Sequence, residues 1–555
     1  MTTLRSDRSK ASYQHLLVLA VILPLFLWPA GTMRTGSVPR LAPSAAPAET
    51  ESTPIDLPEG TLMRAVAVEP NSLDLPQTAE RQAYTTAWQM YDSLLSVDED
   101  GRVTPALAQS WEVSEDGTQY TFALRQDVTF HNDEPFNADA VVFSWERAAT
   151  GGFEFSDMWQ RAASVQKTGE YTVTITTDVP DGQFLRTVAD YWAMVPPGYF
   201  DDVGQSGFDA HPIGTGPFMF VEWVSGDHIT MQANPNYWRD GLPQIETLIF
   251  KPIPDSADRV TAIQDGLVDM VTRLRPEEAQ SLAGVEGVEI VKYPVDRVYY
   301  IAFNNLTTGV GEPTENALVR QAMNYAVDVR GIIDTWFDGF ARESTGFVTP
   351  ANLGYDNAKP FGYDPTMAGN LLIAAGYPEG FQMDMACPTS AYINFEEVCT
   401  AVSADLGDVG IDVNLDFMEA GLFWDLEADK ALPPLFGDSW SATGEAYNRL
   451  IGALGGWDAA YSAWSDPTID QLLSDISVET DQDERALLYG QLQAYMRDNP
   501  PFIYLYERFT FEAIRSQVED YRPRANEHCL LMYIWLDNDG DGVLKSVEEL
   551  APNSG

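Results

Sequence analysis

Apolar and polar positions alternate along the first half of this chain, whereas the second half carries helical spacing. "GTLMRAVAVEPNSLDLP" (60–76) opens as a strand and breaks at Pro70 and Asn71, and a helix-like stretch runs from Glu80 to Leu95. "QYTFALRQDVTF" (119–130) and "YTVTITT" (171–177) alternate as half-buried strands should. "HITMQANPNYW" and "ETLIFKPI" continue that strand-and-turn texture. From 313 onward the period changes. "NALVRQAMNYAVDVRGIIDTWF" and "DPTMAGNLLIAAGY" place apolar residues at i, i+3 and i+4, and "QDERALLYGQLQAYMRD" (482–498) predicts an amphipathic helix closed by Asn499-Pro500. No internal repeat interrupts the pattern. It predicts a mixed α/β protein of several domains.

Length and charge narrow the class. A chain of 555 residues is too long for one hydrophobic core and predicts two to four domains. The 83 acidic residues against 33 basic ones give a net charge of −50, a field that repels nucleic acid and anionic membranes. Only seven basic residues are Lys, and an acidic, Lys-poor surface hints at a salty environment. Fourteen Trp exceed what packing usually calls for, and suit a pocket that stacks on a small ligand.

The N-terminus points to export. Arg5, Arg8 and Lys10 precede the apolar run "LLVLAVILPLFLW" (16–28), and an Ala/Pro-rich stalk (32–59) follows. Residues 1–31 read as a signal peptide or as an uncleaved N-terminal anchor, because Ala46-Pro47-Ala48 offers a cleavage site only far from the apolar run. Either way the folded part is expected outside the cytoplasm, in the periplasm or on the outer face of the cytoplasmic membrane. Cys387 and Cys399 are close enough to close a small loop, a bond that an oxidising compartment favours. Cys529 is left over as a buried thiol.

The sharpest motif is C-terminal. "DNDGDGVLKSVE" (537–548) places Asp537, Asp539 and Asp541 at positions 1, 3 and 5 of an EF-hand-like loop, Gly542 at the sharp turn and Glu548 at position 12. With the Val543 carbonyl these supply the oxygens that calcium, a hard cation, requires. Lys545 at position 9 departs from the pattern. "CLLMYIWL" (529–536), strand or helix, precedes the loop and only "SVEEL" follows, so 537–555 reads as a structural calcium clip rather than a sensor.

Catalytic arrangements fail. There is no G-x-S-x-G, H-E-x-x-H or P-loop, the five His have no ligand spacing, and "GTGPF" (214–218) reads as a tight turn between strands. An enzyme is not expected.

One ordered series of motifs is more specific. "PNSLD" (70–74), the stretch 91–147 containing "YDSLLSVDEDGRVTPALAQSW", "GTGPFMFVEW" (214–223), "NPNYW" (234–238), "VRQAMNYAVD" (319–328) and "YDPTMAGNLLIAAGYPEGF" (363–381) follow one another. Together, over roughly 60–535, they resemble the family-5 extracellular solute-binding proteins, the peptide/nickel class serving ABC importers. The resemblance implies a periplasmic-binding-protein-like α/β fold of two lobes with an extra domain. Domain I would comprise 60–104, 212–305 and 500–536, domain II 105–211 and domain III 306–499. "YYIAFNN" (299–305) and "PFIYLYE" (501–507) look like the two hinge strands. It implies a monomer that closes on a small organic solute, such as an oligopeptide or sugar, and delivers it to ABC permease subunits. An extracellular hydrolase of peptides or glycosides, or a calcium-tethered surface receptor, are the competing readings.

The resemblance also locates a pocket loop, "SWSATGEAYNRL" (439–450). Peptide binders carry an Asp there that pairs with the ligand's α-amino group, and here Ala442 takes its place. A buried ammonium without a counter-charge is costly, and Glu445 is the available substitute. The expected ligand-binding set is Trp440, Ser441, Ala442, Thr443, Glu445, Trp457, Tyr461 and Trp464, with Tyr84 and Asn304.

Overall fold

The computed structural model describes residues 58–78, 81–441 and 444–537. The segments 1–31 and 32–59 (save its last two residues) and the calcium-loop residues Asp539, Asp541, Val543 and Glu548 lie outside the described residues, as do Ala442 and Thr443.

Two long strands organise the fold. Val288–Phe303 and Phe502–Arg515 pair antiparallel, from Val288 opposite Arg515 to Ala302 opposite Phe502. Among the described residues, eleven strands form one mixed sheet with this pair at its centre. On one side lie Met270–Leu274, Thr61–Val66, Thr247–Pro252, His228–Ala233 and Phe218–Val224. On the other lie Leu435–Ser441, Phe381–Thr389 and Ile411–Glu419, and the eleventh strand, Ala341–Glu343, pairs with Phe502–Arg515 off this path. The "YYIAFNN" and "PFIYLYE" segments are therefore only the second-half portions of strands that run on into the first half of the sheet. Their central residues, Tyr300 to Phe303 and Phe502 to Tyr506, are buried on both faces. That two-sided burial explains why they read as continuous apolar runs rather than alternating ones.

A second, four-stranded antiparallel sheet stands apart, in the order Ala108–Val113, Gln119–Leu124, Thr172–Thr176 and Ser164–Gly169. Helices Ala138–Thr150 and Phe184–Tyr191 accompany it, and the stacked indoles of Trp159 and Trp192, 4.8 Å apart, fill its core. Such a pair contributes about 0.5–1.5 kcal/mol beyond the area it buries.

Helices cover the second half of the large sheet, and their ends were legible in the sequence. Gln482–Asp498 starts where Asp481 accepts the Asp483 and Glu484 N–H groups, and it stops before Asn499-Pro500. The stretch 316–337 is two helices. Ala317–Ala326 ends, and Asp328 caps Val329–Trp336 by accepting the Gly331 N–H.

Two stretches differ from expectation. The helix predicted from Glu80 to Leu95 is Arg81–Trp88 only, because the chain beyond it turns to receive "GTGPF". There the Gly216 N–H donates to the Met90 carbonyl at 3.0 Å, and a Cβ on Gly214 would lie 2.1 Å from that oxygen. Residues 529–536 form neither one strand nor one helix. Leu531–Tyr533 is a 3-10 turn and Trp535–Leu536 a two-residue strand on Val518–Glu519, since Leu531, Met532 and Ile534 all point into the core. The disulfide Cys387–Cys399 is formed, and Cys529 is a buried free thiol.

Candidate functional site

The ladder of the central strand pair slips between Pro294 and Val298. Residues released from pairing there line a crevice between the two halves of the large sheet and the small-sheet unit. Asp296 sits at this bulge. Its N–H donates to the Ala525 carbonyl at 3.0 Å, and its buried carboxylate accepts from Thr349 Oγ1 at 2.9 Å, Asn352 Nδ2 at 3.0 Å and Arg449 Nη1 at 2.8 Å. Burial would raise the Asp296 pKa, but the Arg449 guanidinium outweighs it and holds the carboxyl below its ordinary range.

A cavity of about 280 Å³ opens over the bulge. Its walls come from the turn at Asp98 and Glu99, from Arg186, from Asp296, from Arg342 with Glu507, and from the C-terminal segment at Arg524. The turn is held tightly. A Cβ on Gly101, whose φ is 77°, would lie 2.8 Å from the Leu353 nitrogen, so only glycine fits by both conformation and space. The small-sheet unit is joined to the helical layer alongside. The Gly182 N–H donates to the Ser477 carbonyl at 2.7 Å, the Val103 N–H to Gln482 Oε1 at 2.8 Å, and Arg102 pairs with Asp483 at 2.7 Å.

Three guanidinium groups reach this cavity from three parts of the fold. Arg186, on helix Phe184–Tyr191, donates from Nε to Asp190 at 2.6 Å and from Nη1 to the Gly101 carbonyl at 3.3 Å. Burial works against its charge, yet Asp190 more than compensates and its pKa stands above the ordinary value. Arg342, on strand Ala341–Glu343, donates from both Nε and Nη2 to Glu507 Oε2, the Nε bond being 3.0 Å. Arg524 donates from Nη2 to the Val97 carbonyl at 3.1 Å and has no carboxylate within ion-pair distance among the described residues. Burial consequently lowers its pKa.

His528 lies beside them, its ring stacked on Tyr84 with centroids 4.6 Å apart. Burial, reinforced by Arg81, Arg524 and Arg186, pushes the imidazole down to about 3, so it is neutral at pH 7. A second chamber of about 660 Å³ shares Asp98, Glu99 and Arg524 with the first. In it Arg125 and Arg239 stand 4.3 and 4.5 Å from the Trp238 ring.

The residues expected from the pocket loop fall into two groups. Trp440 and Ser441 are half-buried at the end of strand Leu435–Ser441, and Trp440 tilts against Tyr461 with centroids 5.8 Å apart. Tyr461 and Trp457 are exposed, Trp457 by 64%. The loop approaches the crevice at Gly444, where a Cβ would lie 3.8 Å from Arg186 Cγ and 3.9 Å from Asp190 Oδ2.

The remaining four are supporting residues. Glu445 is wholly buried, accepting from Arg485 at 2.7 and 3.0 Å and from Tyr489 at 3.0 Å, so it has no free charge to offer an ammonium. Trp464 belongs to the core under the Arg320 guanidinium, 4.7 Å from its centroid. Asn304 is buried and directs its amide to the Leu432 carbonyl at 3.0 Å and to Thr307 at 3.1 Å. Tyr84 is buried, with its hydroxyl donating to the Asp190 carbonyl. Glu445, Asn304 and Tyr84 thus have their polar partners within the protein, whereas Trp464 is held by packing, its indole N–H having no partner among the described residues.

Arg186, Arg342, Arg524, Asp296 and His528 were missed from the sequence. Arg186 alone left a signal, as the one basic residue, four positions before Asp190, within the otherwise apolar helical run "FLRTVADYW". The others come together only through the fold.

Comparison with known proteins agrees with this architecture. The heme-binding protein A of Haemophilus influenzae is 29% identical over 472 residues, covering 78% of this chain and 84% of that protein. The glutathione-binding protein of Pectobacterium atrosepticum is 30% identical over 449 residues, 78% of this chain and 86% of its own. Among solved structures, HbpA2 from Haemophilus parasuis superposes with a TM-score of 0.78 at 26% identity, covering 86% of this chain and all of that one. Its relatives and structural neighbours are two-lobed binding proteins. Residues 102–460 match the family described as bacterial extracellular solute-binding proteins, family 5 Middle, and the chain belongs to that family.

Proposed function

We propose that this protein captures a small organic solute, a peptide or peptide-like molecule, in the crevice between its lobes and delivers it to an ABC permease. The observation that carries the reading is the cavity over the Asp296 bulge, which both halves of the large sheet and the small-sheet unit wall together. A solute there touches every part that lobe closure would move, and only such contacts couple binding to closure. Heme, glutathione and dipeptide are named in the descriptions of relatives, so ligands of this general size suit the family's architecture. Trp440, Ser441, Ala442 and Thr443 would contribute the wall on the pocket-loop side.

The protein acts in this reading as a monomeric carrier, exported by its N-terminal segment or held by it at the outer face of the membrane. The C-terminal loop from Asp537 would hold one structural calcium ion. Its support is the ligand spacing, together with the anchoring of Asp537, whose N–H donates to the Gln517 carbonyl at 2.8 Å.

Native mass spectrometry of the purified protein tests the central claim. A retained small molecule at one per chain, released on unfolding and unchanged on incubation, is expected. Turnover of that molecule would overturn the carrier reading in favour of a hydrolase.

A further inference from the structure

The cavity over the Asp296 bulge runs against the composition of the chain. With 83 acidic residues and 33 basic ones, an arginine should find a carboxylate easily. Arg524 does not, although it is half-buried and lines both chambers. The acids around it are committed elsewhere. Asp296 is held by Arg449, Glu507 by Arg342, and Asp98 accepts the Asp100 and Arg102 N–H groups of its own turn at 3.0 and 2.8 Å. Glu99 is exposed at the rim. Arg186 and Arg342 are paired but not saturated: Nη2 of the first and Nη1 of the second have no acceptor among the described residues. His528 is neutral and adds no charge of its own.

One arginine therefore comes from the small-sheet unit, one from the second half of the large sheet, and one from the C-terminal segment that packs on the first half. A planar guanidinium with free N–H groups matches a carboxylate in two-point geometry. Asp190 and Glu507 already balance Arg186 and Arg342, so closure would enclose Arg524 as the charge without an acid partner among the described residues. An anion with two separated carboxylates supplies that counter-charge and also meets the free N–H groups of Arg186 and Arg342, and it does so only when all three walls are in place.

We propose that the solute of this crevice is an organic anion carrying at least two carboxylate groups, gripped between Arg186, Arg342 and Arg524. The inference rests on the crevice being the solute site and adds the chemical class of the solute. It accounts for the absence of an amino-binding carboxylate at Ala442, since a net anion does not depend on such a clamp.

Titration calorimetry on the full chain, stripped of retained solute, tests it with three probes: the dipeptide Glu-Glu, its isostere Gln-Gln, and citrate. At least one anionic probe should bind tenfold or more tightly than Gln-Gln. Arg524→Gln should remove that preference, and Arg524→Lys, which keeps the charge, should restore part of it. Should the Gln variant misfold, the Lys variant and the wild-type preference still decide the matter. Equal binding of all three probes, or preference for Gln-Gln, overturns the anion class. If the solute found by native mass spectrometry is neutral or cationic, the class also falls while solute capture stands. If Arg524→Gln leaves an anionic preference intact, the assignment to this crevice is wrong.

Discussion

The arginines on the pocket-loop side and those lining the crevice differ in shelter and in use. Arg449 and Arg485 are completely buried, and each meets one carboxylate squarely, Asp296 at 2.8 Å and Glu445 at 2.7 Å, with backbone oxygens taking further donors. Arg186, Arg342 and Arg524 are less than saturated, and Arg524 has no acid partner among the described residues. Saturation distinguishes a structural charge from one kept for a ligand. A buried ion pair is weak evidence of net stabilisation, but removing one partner strands the other, and that asymmetry makes the contrast measurable.

The largest effect should come from the saturated set. Arg449→Met or Glu445→Gln should destabilise the protein by about 3–5 kcal/mol in chemical denaturation, through the orphaned charge each leaves behind. Trp464→Ala should cost a similar amount, about 3–5 kcal/mol, by emptying a core position. A loss under about 1 kcal/mol at Arg449 would show that the pair is replaceable, and the contrast would collapse.

Two histidines extend the comparison to pH. His131 has both ring nitrogens bonded, Nδ1 accepting the Gly214 N–H at 3.3 Å and Nε2 facing the Gly216 carbonyl at 3.0 Å, and burial pushes it down to about 4. His528 has no ring-nitrogen partner among the described residues. A depressed histidine pKa means that the unfolded chain binds more protons between the two values. Stability is therefore complete above about pH 6.5 and falls as pH drops towards 4, by about 3 kcal/mol for His131. His131→Asn should flatten that part of the profile of unfolding free energy against pH. An unchanged slope would mean that other groups govern acid sensitivity.

The C-terminal loop should matter less. Calcium at a hundredfold excess over its Kd adds about 2.7 kcal/mol. Chelation, or Glu548→Gln, should lower Tm modestly and leave solute affinity nearly unchanged. A tenfold change in solute Kd on chelation with Tm unmoved would make the loop a regulator. The smallest effect is expected at Trp457, which is 64% exposed. Trp457→Ala should change stability by no more than about 0.5 kcal/mol, so a weakened solute affinity in that variant would report contact with the ligand rather than a packing loss.

Local patterns determined much of this protein. The alternation in "QYTFALRQDVTF", the capped period of 482–498 and the ordered family motifs located elements by the interactions of near neighbours, and such interactions are written into sequence spacing. The glycines of "GTGPF" marked a close approach, though only the fold shows that the partner is the Met90 carbonyl. The site is another matter. Asp296 meets Arg449 and Asn352 across the hinge, and Arg186, Arg342 and Arg524 arrive from segments up to 338 positions apart. No spacing rule relates them. Glu445 looked available because the sequence does not display Arg485 beside it. Whether a charge is satisfied depends on every group around it, and only the tertiary structure assembles that surrounding.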